Sequence, residues 1–166
     1  VLSPDEKTMY FASDMPGTKG QSDLWKVSIN GDGSFGKPVN LGDAINTEGK
    51  ETFPMITDEN ELYFATDGHP GLGGLDIFMS RMNPDGTFQA PINVGAPANS
   101  PQDDFAYLID TKTRKGFLSS NRDGGQGFDD IYKFLETRKL ICEQELSGIV
   151  TDIETGEILP NTKVTL

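Results

Sequence analysis

Apolar and polar positions along this chain fall into short runs broken by turn residues. Lys7-Thr8-Met9-Tyr10-Phe11-Ala12-Ser13 is an aromatic-rich run of strand length, and Asp23-Leu24-Trp25-Lys26-Val27-Ser28-Ile29 is another. Runs of this kind, bounded by glycine, proline, asparagine and aspartate, predict β-strands. Pro38-Val39-Asn40-Leu41-Gly42 predicts a weak third strand whose leading proline and short length suit a sheet edge. Glu51-Thr52-Phe53-Pro54-Met55-Ile56 predicts a fourth. The turns Asn30-Gly31-Asp32-Gly33 and Asn83-Pro84-Asp85-Gly86 carry Asp-Gly pairs, which suit positive φ between antiparallel strands. No stretch holds helical periodicity over three turns.

The whole set recurs with a period of 53 residues. Phe11, Phe64 and Phe117 share that spacing, as do Asp23 and Asp76, Asn40 and Asn93, Gly42 and Gly95, and Asn46 and Asn99. In the third copy Asp130-Ile131-Tyr132-Lys133-Phe134 comes one residue late, so the loop before it is expected to be longer by one. Repeats at a fixed spacing mark stacked units, none of which buries its apolar surface alone. Four strands per repeat is the unit of a β-propeller blade, and strands apolar on both faces fit a sheet held between two neighbours. The expected fold is therefore all-β: a partial β-propeller of about two and a half four-stranded antiparallel blades over residues 1–134. Val1 and Leu2 align with Pro54 and Met55, inside the fourth strand, so the chain is expected to be a window of a larger protein. The missing blades are expected upstream on the same polypeptide.

Charge narrows the partners. The formal net charge is −12, from 26 acidic against 14 basic residues, which disfavours nucleic acid and anionic lipid headgroups. A single cysteine, Cys142, leaves the redox compartment open. No apolar run approaches the roughly 20 residues that span a bilayer.

The residues also carry a family resemblance. Ser3-Pro4-Asp5-Glu6-Lys7-Thr8-Met9-Tyr10-Phe11-Ala12-Ser13-Asp14 resembles the signature of TolB-like, WD-repeat-like propellers, with Glu6 and Asn60 standing where that signature has glycine. Asp67-Gly68-His69-Pro70-Gly71-Leu72-Gly73-Gly74-Leu75-Asp76-Ile77-Phe78 and Ser119-Ser120-Asn121-Arg122-Asp123-Gly124-Gly125-Gln126-Gly127-Phe128-Asp129-Asp130-Ile131-Tyr132 resemble the propeller of Bacteroidota OmpA-family envelope lipoproteins. Residues 135–145 break the repeat and read as a connector. Residues 146–166, with Thr155-Gly156 as a turn between two strands, resemble the start of a carboxypeptidase-regulatory-like β-sandwich. The resemblance implies a periplasmic, outer-membrane-associated protein whose partners are other envelope proteins, with a link to type IX secretion in some members. Peptidoglycan would be reached only through a domain outside this chain.

Several residues are candidates for chemistry. Asp23, Asp76 and Asp130 precede the second strand of each copy and read as turn caps accepting backbone N–H groups. Asp123, Asp129 and Asp130 offer a calcium reading, although the twelve-residue loop with a terminal glutamate is absent. Trp25, Phe78 and Tyr132 share one repeat position and read as packing between units, with sugar stacking as the other reading. Glu51, Asp103 and Asp104 open the fourth strand, which the resemblance makes innermost, so they would rim a central channel. His69, the lone histidine, reads as a loop-tip residue, and it lacks the partners a zinc or catalytic site requires. No nucleophile elbow, zinc-protease motif or phosphate loop occurs. The expected function is a non-enzymatic protein–protein scaffold without a cofactor. The alternatives are the accessory propeller of a periplasmic hydrolase or peptidase, and a calcium- or glycan-binding module.

Overall fold

A computed structural model of the chain describes residues 1–140, 148–160 and 162. Among the described residues there are ten strands and no helix. Strands β1 (Thr8–Ser13), β2 (Asp23–Ser28) and β3 (Val39–Asn40) form one antiparallel sheet in that order. Strands β4 (Glu51–Ile56), β5 (Glu61–Thr66), β6 (Asp76–Arg81) and β7 (Ile92–Asn93) form a second, of four strands. Strands β8 (Asp104–Ile109), β9 (Lys115–Ser120) and β10 (Asp130–Leu135) form a third. The protein is all-β, and none of its sheets closes on itself. Leu2 bridges Met9 along the side of β1 that corresponds to the β4 side of β5.

The sheets repeat strand for strand, with one change of register. Strands β5 and β6 follow β1 and β2 by 53 residues, and β8 follows β4 by the same interval, but β9 and β10 lag by 54. The added residue lies in the β8–β9 turn, Asp110 to Arg114, and not in the loop before β10 where the sequence pattern places it. That turn closes with the Arg114 N–H on the Asp110 carbonyl, whereas the β4–β5 turn closes one residue sooner, Asn60 N–H to Thr57 carbonyl. Leu118 rather than Phe117 is consequently the counterpart of Phe11 and Phe64. Opposite these three stand Tyr132, Trp25 and Phe78. The turn positions Glu6, Asn60 and Arg114 all take positive φ (57°, 60° and 58°), the conformation that explains the glycine of the family signature.

Consecutive sheets pack face to face. Strand β4 lies against β1 and β2 on one side and against β8 on the other. Tyr10, Leu24 and Ile45 meet Leu62, Phe64 and Phe78 in one buried cluster. Tyr63, Ile77 and Met79 meet Tyr107, Ile109 and Leu118 in the next. Side-chain volume is exchanged between copies: Leu62 pairs with Ser80 in the second sheet, and Gly116 pairs with Phe134 in the third. A Cβ at Gly116 would run into the Phe134 ring, so the glycine follows from its large cross-strand partner. The sheets are also tied through backbone, Glu51 N–H to Ser22 carbonyl (2.8 Å) and Asp104 N–H to Leu75 carbonyl (2.6 Å).

The recurring asparagines hold each connection to its strand. The buried Asn46 side chain accepts from the Leu24 N–H (2.8 Å), and its amide donates to the Leu24 carbonyl and to Asn40 Oδ1. Asn99 repeats all three bonds with Ile77 and Asn93. An amide supplies a donor and an acceptor on two separate atoms, which serves the N–H and the carbonyl of one residue's backbone together.

Just past β10, Arg114 pairs with Glu136. Residues 141–147, including Cys142, lie outside the described residues, as do 161 and 163–166. Within 148–160, Thr151 bridges Ile158 around a turn in which Asp152 Oδ1 accepts the N–H groups of Glu154 and Thr155, and Gly156 takes φ +73°.

Replacing Asn99 with alanine leaves the buried Ile77 N–H without a partner and its carbonyl with the Val94 N–H alone. It should destabilise the protein by roughly 1–3 kcal/mol in urea unfolding, whereas Asn83→Ala on the exposed turn should cost less than about 0.5 kcal/mol.

Candidate functional site

The loops that enter β2, β6 and β10 are built around their aspartates. Asp23 Oδ2 accepts the Lys19 N–H (2.9 Å), Asp76 Oδ2 those of Leu72 and Gly73 (2.7 and 3.0 Å), and Asp130 Oδ2 those of Gln126 and Gly127 (2.8 and 3.1 Å). A Cβ at Gly71 or Gly125 would fall onto the carboxylate of Asp76 or Asp130, so the glycines let the loop close over the acid. Asp123 sits apart, 3.5 Å from the Gln102 amide. Among the described residues no three His, Cys, Asp or Glu side chains converge in a way that could hold a metal ion.

The carboxylates expected at a channel rim have internal partners. Glu51 is 0% exposed: it takes the Thr47 N–H (2.9 Å) and the hydroxyls of Thr47 and Thr66 (2.5 and 2.7 Å). Asp104, equally buried, takes the Ser100 N–H and the Arg122 guanidinium. Asp103 is half-buried and accepts the Leu75 N–H of the neighbouring sheet at 2.8 Å. Asp104 has one methylene fewer than Glu51, and Arg122 supplies the reach. Its guanidinium also donates to the Pro97 and Ala98 carbonyls and lies 5.0 Å from the centre of the Tyr132 ring. Sequence reasoning passed over Arg122. The available signal is that a cation stands there in the one copy whose rim acid is aspartate.

His69 does not sit at a loop tip. Its Nε2 is 2.9 Å from the Ile45 carbonyl, and its ring lies against Phe64 and Phe78, so it staples the loop to the first sheet. Trp25 and Phe78 are buried and Tyr132 half-buried; Phe78 and Tyr132 lie in the two clusters between sheets, whereas Trp25 belongs to neither. Phe53 was also passed over. It takes φ +51° inside a bulge of β4, is 46% exposed, and stacks on Phe105 at 5.0 Å. Ala106 repeats the bulge and the φ in β8, so this backbone form belongs to the repeat.

Among the described residues, one face of the third sheet is uncovered. Leu108, Phe117, Ile131 and Leu135 point to the same side, with Ile131 77% exposed. The counterparts of Phe117 and Ile131 in the second sheet are Tyr63 and Ile77, both buried beneath the third sheet. Lys115 and Lys133 lie on the same face.

No protein-family model matches this chain, and no curated protein sequence matches it.

Acid should weaken the turns first. The Thr87 hydroxyl, then its N–H, hold the Asp85 carboxyl below the ordinary 3.8, and Ser34 does the same for Asp32. A carboxyl with a lowered folded-state value contributes fully above its unfolded value and loses the contribution as pH falls through the folded one. The melting temperature is expected to hold down to about pH 4 and to fall below it, less steeply in Asp85→Asn, as measured by scanning calorimetry.

Proposed function

We propose that the three sheets are blades of a β-propeller and that the chain serves as a non-enzymatic interaction scaffold of a bacterial cell envelope. One observation carries this reading: the bare face of the third sheet repeats, position for position, a face that the second sheet buries. A further blade of the same polypeptide would cover it. The buried carboxylates support the same reading, because Glu51, Asp76 and Asp104 are committed to the architecture and are not presented to a substrate. The envelope setting rests on the sequence resemblance to OmpA-family lipoproteins, which also implies the periplasm, outer-membrane association, other envelope proteins as partners and the link to type IX secretion.

The test uses a double variant, Phe117→Asp with Ile131→Asp. Both side chains are exposed, so the unfolding free energy of this chain should move by less than about 0.5 kcal/mol. In the longer polypeptide with further repeats, the same pair should lower stability by several kcal/mol and abolish retention of envelope proteins from a Bacteroidota extract. No change in the longer polypeptide, or turnover of ester or peptide reporters by the purified chain, would contradict the proposal.

A further inference from the structure

The two interfaces between sheets are not equally filled. Between the first and second sheets lies a cleft of about 510 Å³, with Tyr10, Ile56 and Met82 among the apolar groups lining it. Lys26, Ser28 and Lys37 contribute polar groups from the first sheet, together with Thr8. The equivalent place between the second and third sheets is occupied. There Glu61 stands for Thr8 and Arg81 for Ser28, and the two form an ion pair at 3.5 Å. Leu140, the fifth residue past β10, stands where Gly86 is the fifth residue past β6. Leu140 packs against the second core, and its carbonyl accepts from Arg81 (2.9 Å), as the Gly86 carbonyl accepts from Lys26 (2.9 Å).

The open cleft is thus what the repeat leaves when a leucine is replaced by glycine and an arginine by serine. Its donors make few bonds. Among the described residues the Tyr10 hydroxyl has only the Met82 sulfur, at 3.9 Å. Lys37 makes no ion pair among the described residues, whereas Met79 and Ala90 hold the positions of Lys26 and Lys37 in the filled interface. Two acids also line the cleft, and both are engaged: Asp5 by Ser3 and the Lys7 N–H, and Asp58 by Thr111. Asp85, which faces Lys26 from the turn, is held by Thr87.

We propose that this cleft binds the C-terminal residue of an extended peptide with an apolar last side chain. The side chain would take the space that Leu140 fills in the next interface. The terminal carboxylate would meet Lys37 and the free protons of Lys26, with the Tyr10 hydroxyl as a third donor. Leu140 shows the matching arrangement within the protein itself, laying an aliphatic side chain and a carbonyl into the same inter-sheet position.

Calorimetric titration of the whole chain tests this with three probes: a tetrapeptide ending in leucine with a free carboxylate, the same tetrapeptide as its C-terminal amide, and N-acetyl-leucine. The free peptide should bind with a Kd of about 1 mM or tighter, and the amide at least about tenfold more weakly. Lys37→Ala, an exposed change, should weaken the free peptide by about tenfold. The pair Thr8→Glu with Ser28→Arg, which copies Glu61 and Arg81 into the cleft, should abolish binding without lowering the melting temperature. The proposal is overturned if the amide binds as well as the acid, if N-acetyl-leucine binds as tightly as the peptide, or if Lys37→Ala changes nothing.

Discussion

Every sheet in this chain has two apolar faces, and between consecutive sheets water is kept from them by the neighbouring sheet. This constraint organises the rest. It explains why Leu62 and Phe64 point one way from β5 while Tyr63 points the other, and why all three are essentially inaccessible. It also explains the polar residues at the sheet ends. Once strands are buried on both sides, each connection between them must be anchored without water. Asn46, Asn99, Asp23 and Asp76 do this by satisfying backbone groups of the chain segments they join. The buried carboxylates are part of the same solution, since Glu51 has two hydroxyls and an N–H, and Asp104 has a guanidinium and an N–H.

Much of this architecture is legible in the residues alone, because it repeats. The strand runs of the first two copies, the Asp-Gly turns and the acids that open β2 and β6 stand where the period predicts them, and the acid that opens β10 stands one residue late. The slip in the third copy was harder to place. Phe117 keeps the 53-residue spacing to Phe64 by coincidence, and an aromatic on either face of a two-sided strand satisfies the pattern equally well. Only the pairing of Leu118 with Tyr132 identifies the true register. Side-chain periodicity of two means a one-residue shift exchanges the faces, so the aromatic identity misleads where the cross-strand partner does not.

The candidate sites were less legible, for a related reason. Whether an acid faces solvent or a neighbouring loop depends on which sheet lies beside it, and spacing along one strand does not encode that. Glu51 and Asp104 were placed on the right strands, but their enclosure follows from Thr66, Ser100 and Arg122, which come from other segments. His69 is similar: its partner, Ile45, belongs to the preceding sheet's connection. The cleft between the first two sheets arises from what is absent, a side chain at Gly86 and length at Ser28. A departure of this kind becomes visible only when two structurally matched interfaces are laid over one another.

The central claim is that the recurring polar residues hold stacked sheets together from within. Hydrogen exchange read by NMR at the Leu24 and Ile77 amides addresses it most directly, because each donates to a buried asparagine and to no ladder partner on that side. Both protons should exchange only through global unfolding, with the same free energy as the centre of β5. Exchange of either one at the rate of the exposed Gly31 amide would show that the asparagines do not anchor the sheets and would contradict the account.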